Sequence, residues 1–186
     1  MPRLIVLNGP PGIGKSTIAR LYVDDHPLAL NLDIDSIRDL LGGWRDDPHT
    51  AGLSARAIAL AAAQTHLTSG YDVAIPQYIG RPEFLEQVEH LAADVPADFH
   101  EIVLLDSKQN AIRRFTERSQ RPGDPAHADA QQMLQQQGGI EELASMYDRL
   151  MATVESRPTA VVVPSTNGAV RDTYRKLLAE LASANR

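Results

Sequence analysis

The chain opens its hydrophobic pattern with a short continuous apolar run, Leu4-Ile5-Val6-Leu7, stopped by Asn8-Gly9-Pro10-Pro11. Four apolar residues without a polar alternate, bounded by turn residues, predict a strand buried on both faces, as in a parallel sheet. A glycine-rich turn follows, then an amphipathic helix over residues 15–22. Residues 29–33 read as a second strand and 36–41 as a short helix ended by Gly42-Gly43. Residues 44–49 read as loop, and 53–68 as a long alanine-rich helix ending near Gly70. Val73-Ala74-Ile75 is a third strand closed by Pro76, and residues 83–93 are helical with Pro82 near the start. Residues 102–105 form a fourth strand ending at Asp106, and 110–120 a strongly basic helix. Beyond the break at Pro122, residues 131–137 read as a mobile, glutamine-rich surface helix. Residues 140–154 are helical, 160–163 a fifth strand, and 170–184 the closing helix.

Strands thus alternate with helices along the whole chain. That order predicts the α/β class: one domain spanning residues 1–186, with a parallel sheet covered by helices on both faces. A chain of 186 residues with 43% hydrophobic and 23% charged residues buries a core without staples. The absence of cysteine removes disulfides, thiolate metal sites and cysteine nucleophiles. The net charge of −6 counts against a broad nucleic-acid surface, so nucleic acid is not the expected partner. Of the 18 basic residues only Lys15, Lys108 and Lys176 are lysine. The arginines suit forked phosphate contacts, although biased codon usage alone would also supply them. No apolar run approaches a membrane span and no leader is visible, so the expectation is a cytoplasmic protein with no membrane partner. Oligomeric state is left open.

The most specific pattern is Gly9-Pro10-Pro11-Gly12-Ile13-Gly14-Lys15-Ser16-Thr17, which fits G-x-x-x-x-G-K-[ST]. Its glycines permit backbone angles and close approaches that other residues forbid. Successive N–H groups can then turn inward around an anion, with the positive end of the next helix behind them. Lys15 is placed to reach the β- and γ-phosphates of ATP, and Ser16 to ligate Mg²⁺. A bare glycine turn would match the spelling alone, but here an apolar strand precedes it and an amphipathic helix follows.

Asp33-Ile34-Asp35 stands at the carboxyl end of the second strand, where open α/β sheets hold their ligands. Asp33 can hold a Mg²⁺-bound water, and Asp35 can take a proton from an acceptor hydroxyl. Arg38, one helical turn on, can grip an anionic or polar part of the acceptor. The plainer reading is that Asp35 or Ser36 caps the short helix and Arg38 is surface.

The loop together with Asp33-x-Asp35-x-x-Arg38 resembles small P-loop kinases, nearest the chloramphenicol phosphotransferase, zeta-toxin and polynucleotide kinase-like families, with shikimate and gluconate kinases more distant. The resemblance implies ATP-dependent phosphorylation of a hydroxyl with Asp35 as base. It also implies a five-stranded sheet of order 2-3-1-4-5. It is carried by the first quarter of the chain and, beyond that, by layout. The third strand departs from the pattern: where such kinases often place an Asp that helps hold magnesium, this chain has Pro76-Gln77-Tyr78. Gln77 supplies no charge, which puts weight on Asp33 for the metal. Gln77, Tyr78 and Arg81 are expected to line the acceptor pocket; the plainer alternative buries Tyr78 in the core and leaves Arg81 solvated.

On the basic helix Arg114, Arg118 and Arg121 are separated by four and three residues and share a face. A row of guanidinium groups beside a triphosphate would stabilise charge during transfer. The resemblance places Arg118 and Arg121 at the entrance of a lid, residues 122–139, that closes over substrate. An exposed basic face balanced by Glu117 is the alternative. By the same analogy, the turn Pro164-Ser165-Thr166-Asn167-Gly168 passes near the adenine.

Three functions remain. The first is a kinase acting on the hydroxyl of a small molecule, an antibiotic or sugar-like metabolite, with Trp44, Tyr78 and the 53–68 helix as an apolar wall. The second is a kinase of a nucleotide, nucleotide sugar or nucleic-acid end. The third is a nucleotide-dependent switch or ATPase module, against which stand the missing Asn-Lys-x-Asp and the missing strand ending in Asp-Glu.

Overall fold

Strands with no polar face are stable only between two apolar layers, and the observed architecture supplies both. The computed structural model describes residues 1–119, 131–132, 134–135 and 138–183. The strands are β1 (Arg3–Asn8), β2 (Leu30–Asn31), β3 (Val73–Pro76), β4 (Asp98–Leu105) and β5 (Val161–Pro164). They form a five-stranded sheet in the order β2-β3-β1-β4-β5, parallel at every pairing. This is the order that the resemblance implied. Around the sheet lie α1 (Lys15–Asp25), α2 (Ile34–Asp39), α3 (Pro48–Thr68), α4 (Pro82–Asp94), α5 (Lys108–Ser119), α6 (Ile140–Glu155) and α7 (Val170–Ser183).

The central strand shows how the layers arise. Leu4 and Val6 join one core cluster with α3 and α4, including Ala59, Phe84 and Val88. Ile5 and Leu7 face the other way, into a cluster with Ile18 and Tyr22 of α1 and Leu177 of α7. Alternate residues of one strand therefore feed two cores. Ala51, Ala55, Ala59 and Ala63 are buried at four-residue spacing along α3, so small side chains form the inward stripe of that helix.

The differences from the sequence pattern have local causes. Residues 48–49, expected as loop, belong to α3: Pro48 occupies its first turn and the Asp47 carboxylate accepts from the Thr50 N–H at 3.1 Å. β2 is two residues long, not five, because Asp33 turns the chain straight into α2. Its Oδ1 accepts from the N–H groups of Asp35 (3.0 Å) and Ser36 (3.3 Å). The cap is therefore Asp33, not Asp35 or Ser36, and the helix starts at Ile34. β4 begins at Asp98, four residues before the apolar run, because it pairs with β1 from Arg3 onward and His100 and Glu101 are buried as well. Glu101 is tolerated there because the Arg157 guanidinium hydrogen-bonds it and also reaches Glu89 at 2.8 Å. Within the segment expected as a surface helix, residues 131–132 and 134–135 are helical, and Leu134 is buried against Phe115 and Leu143. Among the described residues no helix is long and apolar enough to cross a membrane.

The alanine stripe yields a prediction. Ala59 is fully buried between α3 and the sheet, so Ala59→Leu should destabilise by about 1–3 kcal/mol through overpacking. At roughly 2–4 °C per kcal/mol for a chain of this size, thermal melting should show a clear fall in Tm; an unchanged Tm would mean that α3 is not closely packed there.

Candidate active site

The turn after β1 is held in a shape that only glycine permits at its first position. Gly9 has φ 148°, and a Cβ there would lie 2.5 Å from the Leu104 carbonyl oxygen. Gly14, at φ 109°, precedes the first turn of α1 with no side-chain cap. The consequence is an inventory of unused donors. The N–H groups of Gly12, Gly14, Lys15, Ser16 and Thr17 have no hydrogen-bond acceptor among the described residues. Five free amides at a helix N-terminus form an anion site. Lys15 completes it: its ammonium donates to the carbonyls of Gly9 (2.9 Å) and Pro10 (3.1 Å) and so arches over the turn. Burial pushes the Lys15 pKa down to about 8, opposed by the charges of Asp35 and Asp33, with Arg118 adding to the lowering.

The outer side of the turn is clamped by residues that the motif alone does not identify. Asn8, fully buried, accepts at Oδ1 from the N–H of Gly9 and of Ile79, both at 2.8 Å, and donates from Nδ2 to the Ile79 carbonyl at 3.0 Å. It ties the phosphate loop to the segment after β3. Ser165 Oγ donates to the Ile13 carbonyl at 3.1 Å. Arg114 donates to that same carbonyl at 2.8 Å and to the Ser165 carbonyl at 2.6 Å, with Asp106 at 3.7 Å. The Arg114 side chain is thus turned under the loop, and burial lowers its pKa. It braces the loop through the Ile13 carbonyl and, with Arg118, Gly12, Glu117 and Asn167, lines a small cavity of about 140 Å³. The two arginines share a helix face and meet at this cavity, where Arg114 is also held by the Ile13 and Ser165 carbonyls. Arg121 and residues 122–130 of the expected lid lie outside the described residues.

Across the loop stand the carboxylates. Asp33 caps α2 through Oδ1, leaving its second oxygen for a ligand; burial first, then the Asp35 charge, raises its pKa, against the two cap hydrogen bonds. Asp35, half-exposed, accepts from Arg38 at 2.9 Å. Arg38 also reaches Asp39 at 3.5 Å and lies 4.3 Å above the Trp44 ring. Arg38 thus orients Asp35, an arrangement different from the expected grip on an acceptor. Trp44 is buried between Arg38 and Arg45, not exposed as an acceptor wall.

After β3 the chain enters a larger cavity of about 850 Å³, whose lining includes Tyr78, Ile79 and Arg81 with Leu53 and Arg56 of α3. Tyr78 is half-buried and donates to the Met146 carbonyl at 3.0 Å, so it closes one side of this cavity against α6. Gln77 does not line it; its Oε1 is buried without a hydrogen-bond partner. Asp35 and Arg38 are also absent from that lining.

The residues present suit a magnesium–nucleotide complex. Five free amides and Lys15 match a polyphosphate, and Ser16 is exposed with a hydroxyl that bonds to no described residue. No cluster of three acidic or histidine side chains occurs among the described residues. Mg²⁺ does not require one, since it keeps several waters and takes one or two protein ligands beside phosphate oxygens. Ser16 and the free oxygen of Asp33 can serve.

This sheet order with this loop defines a P-loop kinase-like protein. The chain belongs to the AAA domain family, whose family model matches residues 4–143. Solved structures with the same fold include a chain of the Pnkp1/Rnl/Hen1 RNA repair complex, at 22% identity and a TM-score of 0.64. That match covers 83% of this chain but 46% of the other, so the likeness spans about half of that protein. The tunicamycin resistance protein of Deinococcus radiodurans matches at 14% identity and TM-score 0.63, over 97% of this chain and 96% of that one. A gluconokinase from Sinorhizobium meliloti 1021 matches at 17% and 0.61, over 98% and 93%. At these identities the likeness is one of fold. No curated protein matches the sequence.

The lowered Lys15 pKa gives a linkage prediction. A polyphosphate beside the ammonium favours its charged form and returns the pKa toward the ordinary 10.5. Near pH 8 binding should therefore take up about half a proton, less at pH 7 where Lys15 is already charged. Calorimetry of ATP·Mg²⁺ binding in buffers of different ionisation enthalpy reads this uptake, and Lys15→Met should abolish it. Buffer-independent heats at pH 8 would place Lys15 away from the phosphates.

Proposed function

We propose that this protein is an ATP-dependent kinase that transfers the γ-phosphoryl group to a hydroxyl of a small molecule. The observation that carries this reading is the set of free amides and Lys15 at one end of β1, within electrostatic reach of Asp33 and Asp35 at the end of β2. An anion cradle facing a carboxylate pair is the minimum apparatus for in-line phosphoryl transfer to an alcohol. The kinase-like family and the gluconokinase-like fold agree with it.

In this mechanism the loop amides and Lys15 fix the β- and γ-phosphates and stabilise charge that develops on them. Asp35, oriented by Arg38, accepts the proton of the acceptor hydroxyl. A bond forms between that oxygen and the γ-phosphorus while the bond from the γ-phosphorus to the β–γ bridging oxygen breaks, releasing ADP. Mg²⁺, held by Ser16 and Asp33, would neutralise phosphate charge. Arg118, beside Gly12 and electrostatically coupled to Lys15, is placed to add positive charge. Lys15, Asp35 and Arg118 are the catalytic assignments.

The acceptor would enter by the cavity after β3, where Tyr78 and Arg81 stand. A kinase acting on a nucleotide or nucleic-acid end is a second reading, favoured by Asp35-x-x-Arg38 and by the fold of the RNA repair chain. Its weakness is that Arg38 is engaged with Asp35 and Trp44. ADP release with ATP, Mg²⁺ and a panel of hydroxy compounds, nucleosides and DNA ends separates the two.

With an acceptor identified, Asp35→Asn should keep ATP affinity and lower kcat by about 10²- to 10⁴-fold, the usual contribution of a general base. Wild-type turnover by that variant would remove Asp35 from the chemistry.

A further inference from the structure

The larger cavity has a charge arrangement of its own. Three arginines and two glutamates line it: Arg56, Arg81, Arg149, Glu83 and Glu142. Arg149 and Glu142 satisfy each other at 2.6 Å. Among the described residues, that leaves Arg56 and Arg81 with no carboxylate within ion-pair distance, and Glu83 as the remaining charged side chain of this lining. Arg56 is steadied over the Phe84 ring at 5.5 Å, which directs a guanidinium to the wall without neutralising it. Arg81 is the residue before the first turn of α4 and offers no cap to it, so the positive end of a 13-residue helix lies at the same wall. Unpaired guanidinium groups beside free helix amides are the chemistry of a carboxylate or phosphate site. Next to them Leu53, half-exposed on α3, and Phe84 give the cavity an apolar side. Its volume of about 850 Å³ is that of a pocket for a drug-sized molecule.

We infer that the acceptor is an anionic molecule with an apolar body, whose carboxylate or phosphate is held by Arg56 and Arg81. This rests on the kinase reading for the word acceptor, but the pocket chemistry stands on its own residues. The anion would dock at the α3–α4 wall, the apolar body would lie on Leu53 and Phe84, and the hydroxyl would be left to point toward the phosphate loop. Asn8 supplies the mechanical link, since Ile79 lines this cavity and is bonded to the same side chain as Gly9.

The test uses three probes of one shape: 4-(hydroxymethyl)benzoate, 4-(hydroxymethyl)phenylphosphonate and the neutral 4-(hydroxymethyl)benzamide. Each is titrated calorimetrically into the full chain, both nucleotide-free and saturated with Mg²⁺ and a non-hydrolysable ATP analogue. At least one anion should bind about tenfold or more tightly than the amide, the effect of one charge-assisted hydrogen bond. The carboxylate and phosphonate arms show which anion is preferred. Arg56→Ala/Arg81→Ala should bring the anion down to the affinity of the amide, and Arg56→Lys/Arg81→Lys should keep part of the preference. Equal binding of all three probes, no binding of any, or a preference that survives the double alanine variant would overturn the inference. Failure of the ATP analogue to bind, with the anion preference intact, would instead overturn the kinase reading and leave the anion pocket standing.

Discussion

The arrangement depends on an asymmetry in hydrogen bonding around one turn. The carbonyls of Gly9, Pro10 and Ile13 are all engaged, by Lys15, Arg114 and Ser165, while five amides between Gly12 and Thr17 have no acceptor among the described residues. Unsatisfied backbone donors are costly unless water or a ligand meets them. A turn that leaves these amides free beside an ammonium is suited to receive an anion. Its rigidity comes from outside the loop: β4 packs against Gly9, α5 sends Arg114 beneath it, and the turn after β5 adds Ser165.

The sheet order brings these parts together. With β1 at the centre, its loop lies between the ends of β3 and β4, and the Asp33–Asp35 turn comes from β2 beyond β3. Asn8 bridges the loop to the strand that leads into the large cavity. Asn8 accepts from the Gly9 N–H and makes two hydrogen bonds to the Ile79 backbone, which ties the loop to a residue that lines the larger cavity.

The phosphate loop and the layered α/β class were legible in the sequence because both rest on local signals: glycine spacing, and apolar runs too short and too continuous for helices. The sheet order was legible only through resemblance. The polar half of β4 was hidden, because burial of Glu101 depends on Arg157, 56 residues away, and no local pattern reports such a pairing. Arg114 and Arg118 looked equivalent by periodicity and do line one cavity, yet Arg114 is also bonded to the Ile13 and Ser165 carbonyls; periodicity gives a face, not a partner. Asn8 stands just before the motif, and its role needs the Ile79 backbone, 71 residues on. The Asp33 cap was within reach, since Asp followed by a short helix is a common start signal. The sequence pattern carries β2 through Asp33 and so puts the cap at Asp35 or Ser36, whereas β2 ends at Asn31 and Asp33 is the cap.

The most direct test of the anion cradle is to watch its amides. Titration of isotope-labelled protein with ATP and Mg²⁺, followed by NMR, should show saturable micromolar binding. The largest amide shifts should fall on Gly12, Gly14, Lys15, Ser16 and Thr17, and Lys15→Ala should weaken the binding. Absence of binding, or shifts that leave those five amides unmoved while others change, would contradict the account.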